Sequence, residues 1–428
     1  MKPIKVGLLG LGTVGTGVVR IVENHQVDLH NQVGSSIEIV KILVSNVNKA
    51  RSIEVDRTKL TEDAWEVVRH PEIDVIIEVM GGTTDTKDYI VEALNLGKNV
   101  VTANKDLMAL YGAELLEIAQ RNGCDVYYEA SVAGGIPIIR TLIDGFSSDR
   151  VTKIMGIVNG TTNFILTKMT QEGASYDDVL KEAQLLGYAE ADPTSDVEGL
   201  DAARKMTILA RLGFHTAVSL DDVSVKGISS VTKEDIQYAK QLGYQLKLLG
   251  IAECDENKVS VSVQPTMVRN SHPIASVNGV FNAVLVYGEA VGETMFYGAG
   301  AGEMPTATSV VADLVAVSKN IKLGISGKRV NTAYKQTALK TDDQISSKYF
   351  LLLKVADRAG VLARITQEFA NHEVSLESVL QQPNENQTDA EIIVITHDAS
   401  KAAIQNVLSS FNAIDVIHEV KSVYRVEG

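Results

Sequence analysis

The segment from Gly187 to Lys205 reads G-Y-A-E-A-D-P-T-S-D-V-E-G-L-D-A-A-R-K and crowds five carboxylates, Glu190, Asp192, Asp196, Glu198 and Asp201, ahead of Arg204 and Lys205. Ser195 followed three residues later by Glu198 fits a capping box, so a helix is expected to begin there, with Asp196 in the first turn where the helix dipole favours an anion. On that helix Asp201 and Lys205 are one turn apart and share a face. Exposed pairs of this kind are common and contribute little. Here Leu200, Ala202, Ala203, Met206, Ile208 and Leu209 leave little of the helix to face water, and charges on a mostly apolar helix are costly unless paired or functional. Lys205 is therefore a candidate proton donor. Flanking carboxylates favour its charged form, which suits protonating an aldehyde oxygen as hydride arrives.

A hydride needs a carrier, and the stretch Lys5 to Gly17, K-V-G-L-L-G-L-G-T-V-G-T-G, has the pattern of a site for one. Gly10, Gly12 and Gly15 fit G-x-G-x-x-G directly after an apolar strand, and Val14, Val18, Ile21 and Val22 follow at helical spacing. Such glycines allow a tight turn, close approach to a pyrophosphate, and close packing of the next helix, whose N-terminus faces the phosphates. No carboxylate follows the second apolar run, Ile37 to Val44, where one would hold the ribose hydroxyls of NAD. Ser45, Asn46, Asn48, Lys49 and Arg51 stand there instead. A cation suits a 2′-phosphate, so NADP is expected over NAD, although Lys49 and Arg51 also fit a solvated loop.

Lys105 is the other candidate for the chemistry. It follows the strand Asn99 to Val101 and would project into the crevice where a nicotinamide lies; the alternative is a simple helix-start lysine. Cys124 sits at the start of a strand, the end away from such a site, which argues against an acylating aldehyde dehydrogenase and its attacking thiol.

These residues need a scaffold. Strand-like and helix-like segments alternate through the first third: Asp74 to Val79, a helix around Lys87 to Leu96, Asn99 to Val101, a helix around Ala109 to Arg121, and Asp125 to Glu129. This predicts an α/β fold with an N-terminal Rossmann-type doubly wound sheet, whose ligands lie beyond the carboxyl ends of its strands. Met80 to Thr84, Thr102 to Lys105 and Glu129 to Gly135 fall at those ends. From about Val151 a mixed α+β domain is expected, its sheet covering the mouth of the first. It would include strands at Lys153 to Val158, Val259 to Val263 and Ala283 to Tyr287. The glycine-dense Y-G-A-G-A-G-E-M-P would lie against cofactor or substrate, or serve as an interdomain turn. After the polar stretch Lys340 to Lys348, the order β-α-β-β-α-β predicts a C-terminal ferredoxin-like module. The expected divisions are 1–135 for the dinucleotide domain, with a return helix at 305–325; 136–304 for the substrate domain; 326–348 for a linker; and 349–428 for the last module.

The 428 residues are too many for one ordinary core. A net charge of −14 argues against nucleic-acid or anionic-membrane partners. Small molecules and other copies of the chain are expected instead. Cys124 and Cys254 form neither a disulfide framework nor a zinc-ligand spacing, which is ordinary for a cytosolic protein. The N-terminus enters a strand almost at once, and no apolar run approaches the roughly 20 residues that span a bilayer, so a soluble, cytoplasmic protein is expected.

The motifs are now specific enough to compare with a family. The chain resembles the homoserine dehydrogenases along essentially all of its length: G-L-G-T-V-G at Gly10, T-A-N-K at Thr102, E-A-S-V-A-G-G-I-P at Glu129, N-G-T-T-N-F at Asn159, G-Y-A-E-A-D-P at Gly187 and G-L-D-A-A-R-K at Gly199. The tail resembles an ACT domain, with Asp357, Gly360 and Leu362 in a D-x-x-G-x-L opening. The resemblance implies reversible interconversion of aspartate 4-semialdehyde and homoserine with NAD(P)H, toward threonine, methionine and isoleucine. It implies that Lys205 is the acid/base, that Lys105 contacts cofactor and substrate, that Asp201 positions the reacting group and that Glu190 binds substrate, together with Asp196, Gly160 and Thr161. Cofactor contacts are expected at Gly10, Leu11, Gly12, Thr13, Val14, Gly15, Thr83, Lys105 and Gly302. By the same resemblance a sodium ion would be held by Glu129, Val132, Gly134 and Ile136, mostly through backbone carbonyls. A dimer or tetramer is implied, with the middle α+β domain serving substrate binding and dimerisation and with threonine as the ACT-domain effector. Which lysine moves the proton stays open. The competing reading is a non-catalytic regulator that senses dinucleotide and amino acid, which would leave the Glu190 to Lys205 cluster without a role; another keeps hydride transfer with a different small amino or hydroxy acid.

Overall fold

The computed structural model describes residues 2–328, 333–383 and 389–428. They form two compact units, one of Met1–Gly160, Asp201–Val223 and Val280–Gln336, the other of Thr161–Leu200, Ser224–Gly279 and Thr337–Gly428.

In the first unit the apolar runs become a parallel sheet: β1 (Ile4–Leu9), β2 (Ile37–Leu43), β3 (Leu60–Thr61), β4 (Val75–Glu78), β5 (Asn99–Thr102) and β6 (Val126–Tyr127). Their order is β3-β2-β1-β4-β5-β6, all parallel, which is the Rossmann arrangement with its crevice at the reversal between β1 and β4. Val75, Ile76 and Ile77 are fully buried, as expected when helices cover both faces of a parallel sheet. The helix Thr13–Asn24 buries Val18, Val19, Ile21 and Val22 in a core that also takes Ala307, Val310, Val311, Leu314 and Val317 from the helix Glu303–Leu323. A Cβ on Gly17 would stand 2.7 Å from the Glu303 carbonyl oxygen, so glycine is what lets these two helices meet closely. The antiparallel strands Val151–Ile157, Phe281–Gly288 and Gly292–Ala299 belong to this same unit. So does the body of the helix Leu200–Phe214, whose Gly213 packs on Ile154.

In the second unit the strands Tyr244–Asp255 and Lys258–Arg269 form a long hairpin, turned by Glu256 and Asn257 with φ of 45° and 62°. The C-terminal module has the expected β-α-β-β-α-β order: Ser346–Ala356, helix Val361–Asn371, Leu376–Pro383, Asp389–Thr396, helix Lys401–Phe411 and Ile417–Glu427. One face of its sheet buries Leu351, Leu353, Ile392 and Val394 against Ile365, Phe369, Ile404 and Val407 from the two helices. Its last strand pairs in parallel with the hairpin, Thr266 with Arg425, Met267 with Val426 and Val268 with Glu427. The helix Lys233–Gln241 is tied to the module by polar contacts. Asp235, fully buried, accepts from Ser422 at 2.6 Å and from Tyr424 at 2.9 Å, and Lys421 pairs with Glu391 at 2.7 Å and also with Glu234. Of the expected 326–348 linker, 329–332 lies outside the described residues. Ala338–Leu339 is a short strand beside Lys258 and Val259. Among the described residues no helix is long and apolar enough to cross a membrane.

Candidate functional site

At the end of β1 the glycine loop divides its work among its glycines. Gly10 has φ +107°, a conformation that side chains rarely adopt, and a Cβ on Gly15 would lie 2.2 Å from the Gly10 carbonyl oxygen. A Cβ on Gly12 would meet nothing within 4 Å. Gly10 and Gly15 therefore shape the loop itself, while the space over Gly12 is open to a ligand. Gly12 is the N-cap of the helix Thr13–Asn24 and no side chain caps that end, so its first amides remain available to a pyrophosphate. Leu11 and Val14 are half-buried and Thr13 is exposed on this loop.

Glu78, which the sequence reading passed over, organises the neighbouring loop. It is fully buried at the end of β4, and burial raises its carboxyl above the usual range. It accepts from the Met80 amide at 2.9 Å, the Gly81 amide at 3.0 Å and the Thr102 hydroxyl at 2.6 Å, which fixes the loop that carries Thr83. Asn104 donates to the Gly82 carbonyl at 2.7 Å and caps the helix Lys105–Arg121 by accepting from the Leu107 amide at 3.0 Å. That cap starts the helix at Lys105, four residues ahead of the expected Ala109, and sets Lys105 at its first position. The signal in the sequence was an acid closing the apolar run V-I-I-E.

Asp201 is the centre of the charged cluster. Its Oδ2 accepts from Lys205 Nζ at 2.7 Å and Asn159 Nδ2 at 2.9 Å, while its Oδ1 lies 3.1 Å from Lys105 Nζ. Lys205 also donates to the Val158 carbonyl at 2.7 Å. Burial alone would raise the Asp201 carboxyl, but Lys205 and Lys105 outweigh it and hold the group at about 2. A buried, ionised carboxylate thus holds two ammonium groups from two helices at one point. A second pair, Arg204 with Asp106 at 2.7 Å, joins the same helices. The expected capping box is not formed. Pro193 is the N-cap of a single helical turn, Thr194–Val197, which contains Ser195 and Asp196; Gly199 then takes φ +80°, and the helix that carries Asp201 and Lys205 starts at Leu200. The left-handed glycine separates two helices where the spacing suggested one.

Arg51 is spent locally rather than held out toward a phosphate. It donates to the carbonyls of Asn46 at 2.6 Å, Lys49 at 2.7 Å and Val47 at 3.2 Å, whereas Lys49 is exposed. The Val47 amide is held by Glu62 at 2.8 Å, a carboxylate brought to this loop from outside the 45–51 segment.

Around Glu129 two buried carboxylates, Glu129 and Asp313, meet one partly exposed guanidinium, Arg140. Glu129 accepts from the Ile139 and Arg140 amides at 2.7 and 2.8 Å, and Asp313 accepts from the Glu129 amide and from the Arg140 guanidinium, each at 2.8 Å. Burial pushes the Asp313 carboxyl up to about 7; the Glu129 amide and Arg140 act the other way, and the Glu129 charge adds to the rise. With Asp313 partly protonated at neutral pH, one guanidinium comes close to balancing the pair, and a cation bound here would favour the ionised form of Asp313. Ala133 and Gly134 have φ of 55° and 46°, and the Gly134 carbonyl already accepts from Ser309 at 2.7 Å. Among the described residues no three His, Cys, Asp or Glu side chains cluster as a metal site, so a cation here would lean on backbone oxygens.

The remaining expected residues are spread over both units. Gly302, with φ +121°, is the N-cap of the helix Glu303–Leu323 in the first unit. Gly160, the first residue of the helix Gly160–Glu172, approaches the Val280 carbonyl so closely that a Cβ would sit 2.7 Å from it. In the second unit Thr161 donates to the Tyr188 carbonyl at 2.6 Å, and Glu190 is exposed with its carbonyl accepting from Gln184 at 3.1 Å. Cys124 is buried, and burial pushes its thiol up to about 11, which suits packing rather than attack.

Family models match the chain in three stretches: homoserine dehydrogenase NAD binding domain over residues 10–129, homoserine dehydrogenase over 137–315 and ACT domain over 349–416. The homoserine dehydrogenase of Bacillus subtilis is 57% identical, over 100% of this chain and 99% of that protein. The Mycobacterium tuberculosis homoserine dehydrogenase is 44% identical, over 100% and 98%. The chain belongs to the homoserine dehydrogenase family. A crystal structure of a homoserine dehydrogenase from Thiobacillus denitrificans superposes with a TM-score of 0.94 at 41% identity, covering 100% of this chain and 99% of that one. A hyperthermophilic archaeal homoserine dehydrogenase in complex with NADPH gives 0.62 at 26% identity, over 77% and 99%. The chain is accordingly an NAD(P)-dependent oxidoreductase that uses a nicotinamide dinucleotide, and it ends in an ACT domain.

Proposed function

We propose that this member of the homoserine dehydrogenase family reduces L-aspartate 4-semialdehyde reversibly to L-homoserine, with Lys205 as the acid/base. The observation that carries the assignment is the buried Asp201 carboxylate bridging Lys205 at 2.7 Å and Lys105 at 3.1 Å. Bound NADPH supplies the hydride to the aldehyde carbon. Lys205 gives its proton to the aldehyde oxygen, and Asp201, ionised throughout the physiological range, holds the ammonium on one line of approach. Lys105, at the end of β5, contacts cofactor and substrate in this reading. Glu190, Asp196, Gly160 and Thr161 bind the amino-acid end. The cofactor lies on Gly10, Leu11, Gly12, Thr13, Val14 and Gly15, with Thr83 and Gly302 alongside.

The absence of a carboxylate in residues 45–51 supports NADP over NAD, with exposed Lys49 better suited to a 2′-phosphate than Arg51. The two buried carboxylates, Glu129 and Asp313, beside a single guanidinium support a sodium ion held by Glu129, Val132, Gly134 and Ile136. The ACT domain supports regulation by an amino acid, for which threonine is the candidate, in a cytoplasmic dimer or tetramer serving threonine, methionine and isoleucine synthesis. NADPH oxidation with aspartate semialdehyde tests the assignment. A folded protein that binds NADPH but turns over neither this substrate nor a panel of small amino and hydroxy acids would leave only the sensing regulator.

A further inference from the structure

Lys247 is, among the described residues, a buried lysine with no carboxylate partner. It lies mid-strand in Tyr244–Asp255, is 1% exposed, and donates to three neutral oxygens: the Val277 carbonyl at 2.6 Å, Asn278 Oδ1 at 3.0 Å and Asn163 Oδ1 at 3.3 Å. Its hydrogen bonds are complete, yet none of these partners is a carboxylate. Burial pushes the ammonium down to about 8, so it still carries its proton at pH 7. A buried cation without a counter-charge is costly, and a protein that needed only a packed strand would place an apolar side chain there.

The partners show what the charge serves. Asn163 is the fourth residue of the helix Gly160–Glu172, and its Nδ2 donates to the same Val277 carbonyl at 3.2 Å. Thr167, one turn on, donates to the Asn163 carbonyl at 2.6 Å and accepts from the Gly279 amide at 3.1 Å. Residues 277–279 are thus clamped over the first two turns of this helix, with the Lys247 ammonium in the clamp. A helix N-terminus is already electropositive, and Asn163, whose side chain Nζ contacts, stands in the first turn, so the ammonium adds its field to that end of the helix. Two positive features so close oppose one another until an anion arrives.

We propose that Lys247 is a positioning residue for the substrate's α-carboxylate: it fixes the start of the Gly160–Glu172 helix and lends that end the charge that draws the carboxylate in. The proposal rests on the reading above, in which Gly160 and Thr161 hold the amino-acid end of the substrate. A peg that merely packs the strand would affect every ligand alike, whereas this role is selective for a charged α-carboxylate.

Two variants test it, Lys247→Met, which removes the ammonium, and Asn278→Asp, which keeps the size and the contact but places a carboxylate beside Nζ. L-homoserine is compared with L-homoserinamide, whose α-carboxylate is neutralised, as substrates in the oxidative direction, or as competitive inhibitors of semialdehyde reduction if the amide is not turned over. Each variant is expected to raise the KM or Ki for homoserine about 10-fold, with kcat and the Kd for NADPH within about 2-fold and the amide unaffected. If Lys247→Met does not fold, Asn278→Asp decides alone. Parallel losses for both compounds, or no change in either, would overturn the proposal. Wild-type protein that cannot oxidise homoserine at all would instead count against the assigned reaction.

Discussion

Lys205 Nζ lies 2.7 Å from Asp201 Oδ2, one turn away on the same helix, while the other oxygen of that carboxylate faces Lys105 from a different helix. In the proposed reaction the two lysines share one anchor but not one task. Lys205→Met is expected to lower kcat by about 10² or more with the Kd for NADPH unchanged, as loss of a general acid requires, whereas Lys105→Met is expected to act on KM as well. Stopped-flow hydride transfer with fluorescence titration of NADPH separates them. Near-normal turnover in Lys205→Met would move the proton transfer to Lys105.

The same carboxylate predicts a pH dependence of stability. Its folded value of about 2 lies below the ordinary 3.8, so its contribution is present above about pH 4 and is lost as pH falls through 2. Urea midpoints of wild type and Asp201→Asn should differ by a constant amount from pH 7 to about 4, and the gap should close below that. A gap that closed near neutrality would contradict the ionised bridge.

Gly12 and Gly15 should respond in opposite ways. An alanine at 15 puts a methyl 2.2 Å from a backbone oxygen, so Gly15→Ala is expected to cost about 1–3 kcal/mol of stability. Gly12→Ala meets open space, so its Tm should stay within about 2 °C of wild type while NADPH binding weakens about 10-fold or more. Unimpaired cofactor binding by Gly12→Ala would remove the pyrophosphate from this loop.

Cofactor choice can be tested on the loop after β2. Lys49→Ala should lower kcat/KM for NADPH several-fold more than for NADH, while Arg51→Ala, which frees the Asn46 and Lys49 carbonyls, should depress both equally. A selective effect of Arg51 would mean that its guanidinium leaves those carbonyls when the dinucleotide binds.

Cys124 should be inert. Iodoacetamide at pH 8 is expected to leave it unmodified, and Cys124→Ser should keep kcat within about 2-fold. Rapid labelling with loss of activity would reopen thiol chemistry.

Periodicity made the fold readable. The strands β1, β4 and β5, the helix returning at Glu303–Leu323 and the C-terminal β-α-β-β-α-β module all announce themselves by apolar spacing and turn residues. The Asp201–Lys205 pair was readable because it is local, four residues along one helix. Lys105 could be suspected from its strand end, but its contact with Asp201 spans nearly a hundred residues and depends on tertiary packing. Glu78 was hidden because its partners are backbone amides and a hydroxyl from two other segments. Ser195 misled because the spacing of a capping box says nothing about the φ of Gly199, which ends one helix before the next begins. The Arg51 contacts were not readable because composition gives a charge without saying which carbonyls it meets.

The pairing of Thr266 to Val268 with Arg425 to Glu427 has a practical bearing on how regulation can be studied. Trimming the polypeptide before Tyr349 would strip a neighbour from the hairpin, bare its amides to aggregation, and leave Asp235 entombed without the hydroxyls of Ser422 and Tyr424. A shortened enzyme that lost its response to an effector would then be reporting damage as much as deafness, so point changes inside the intact chain are the sounder way to silence the sensor.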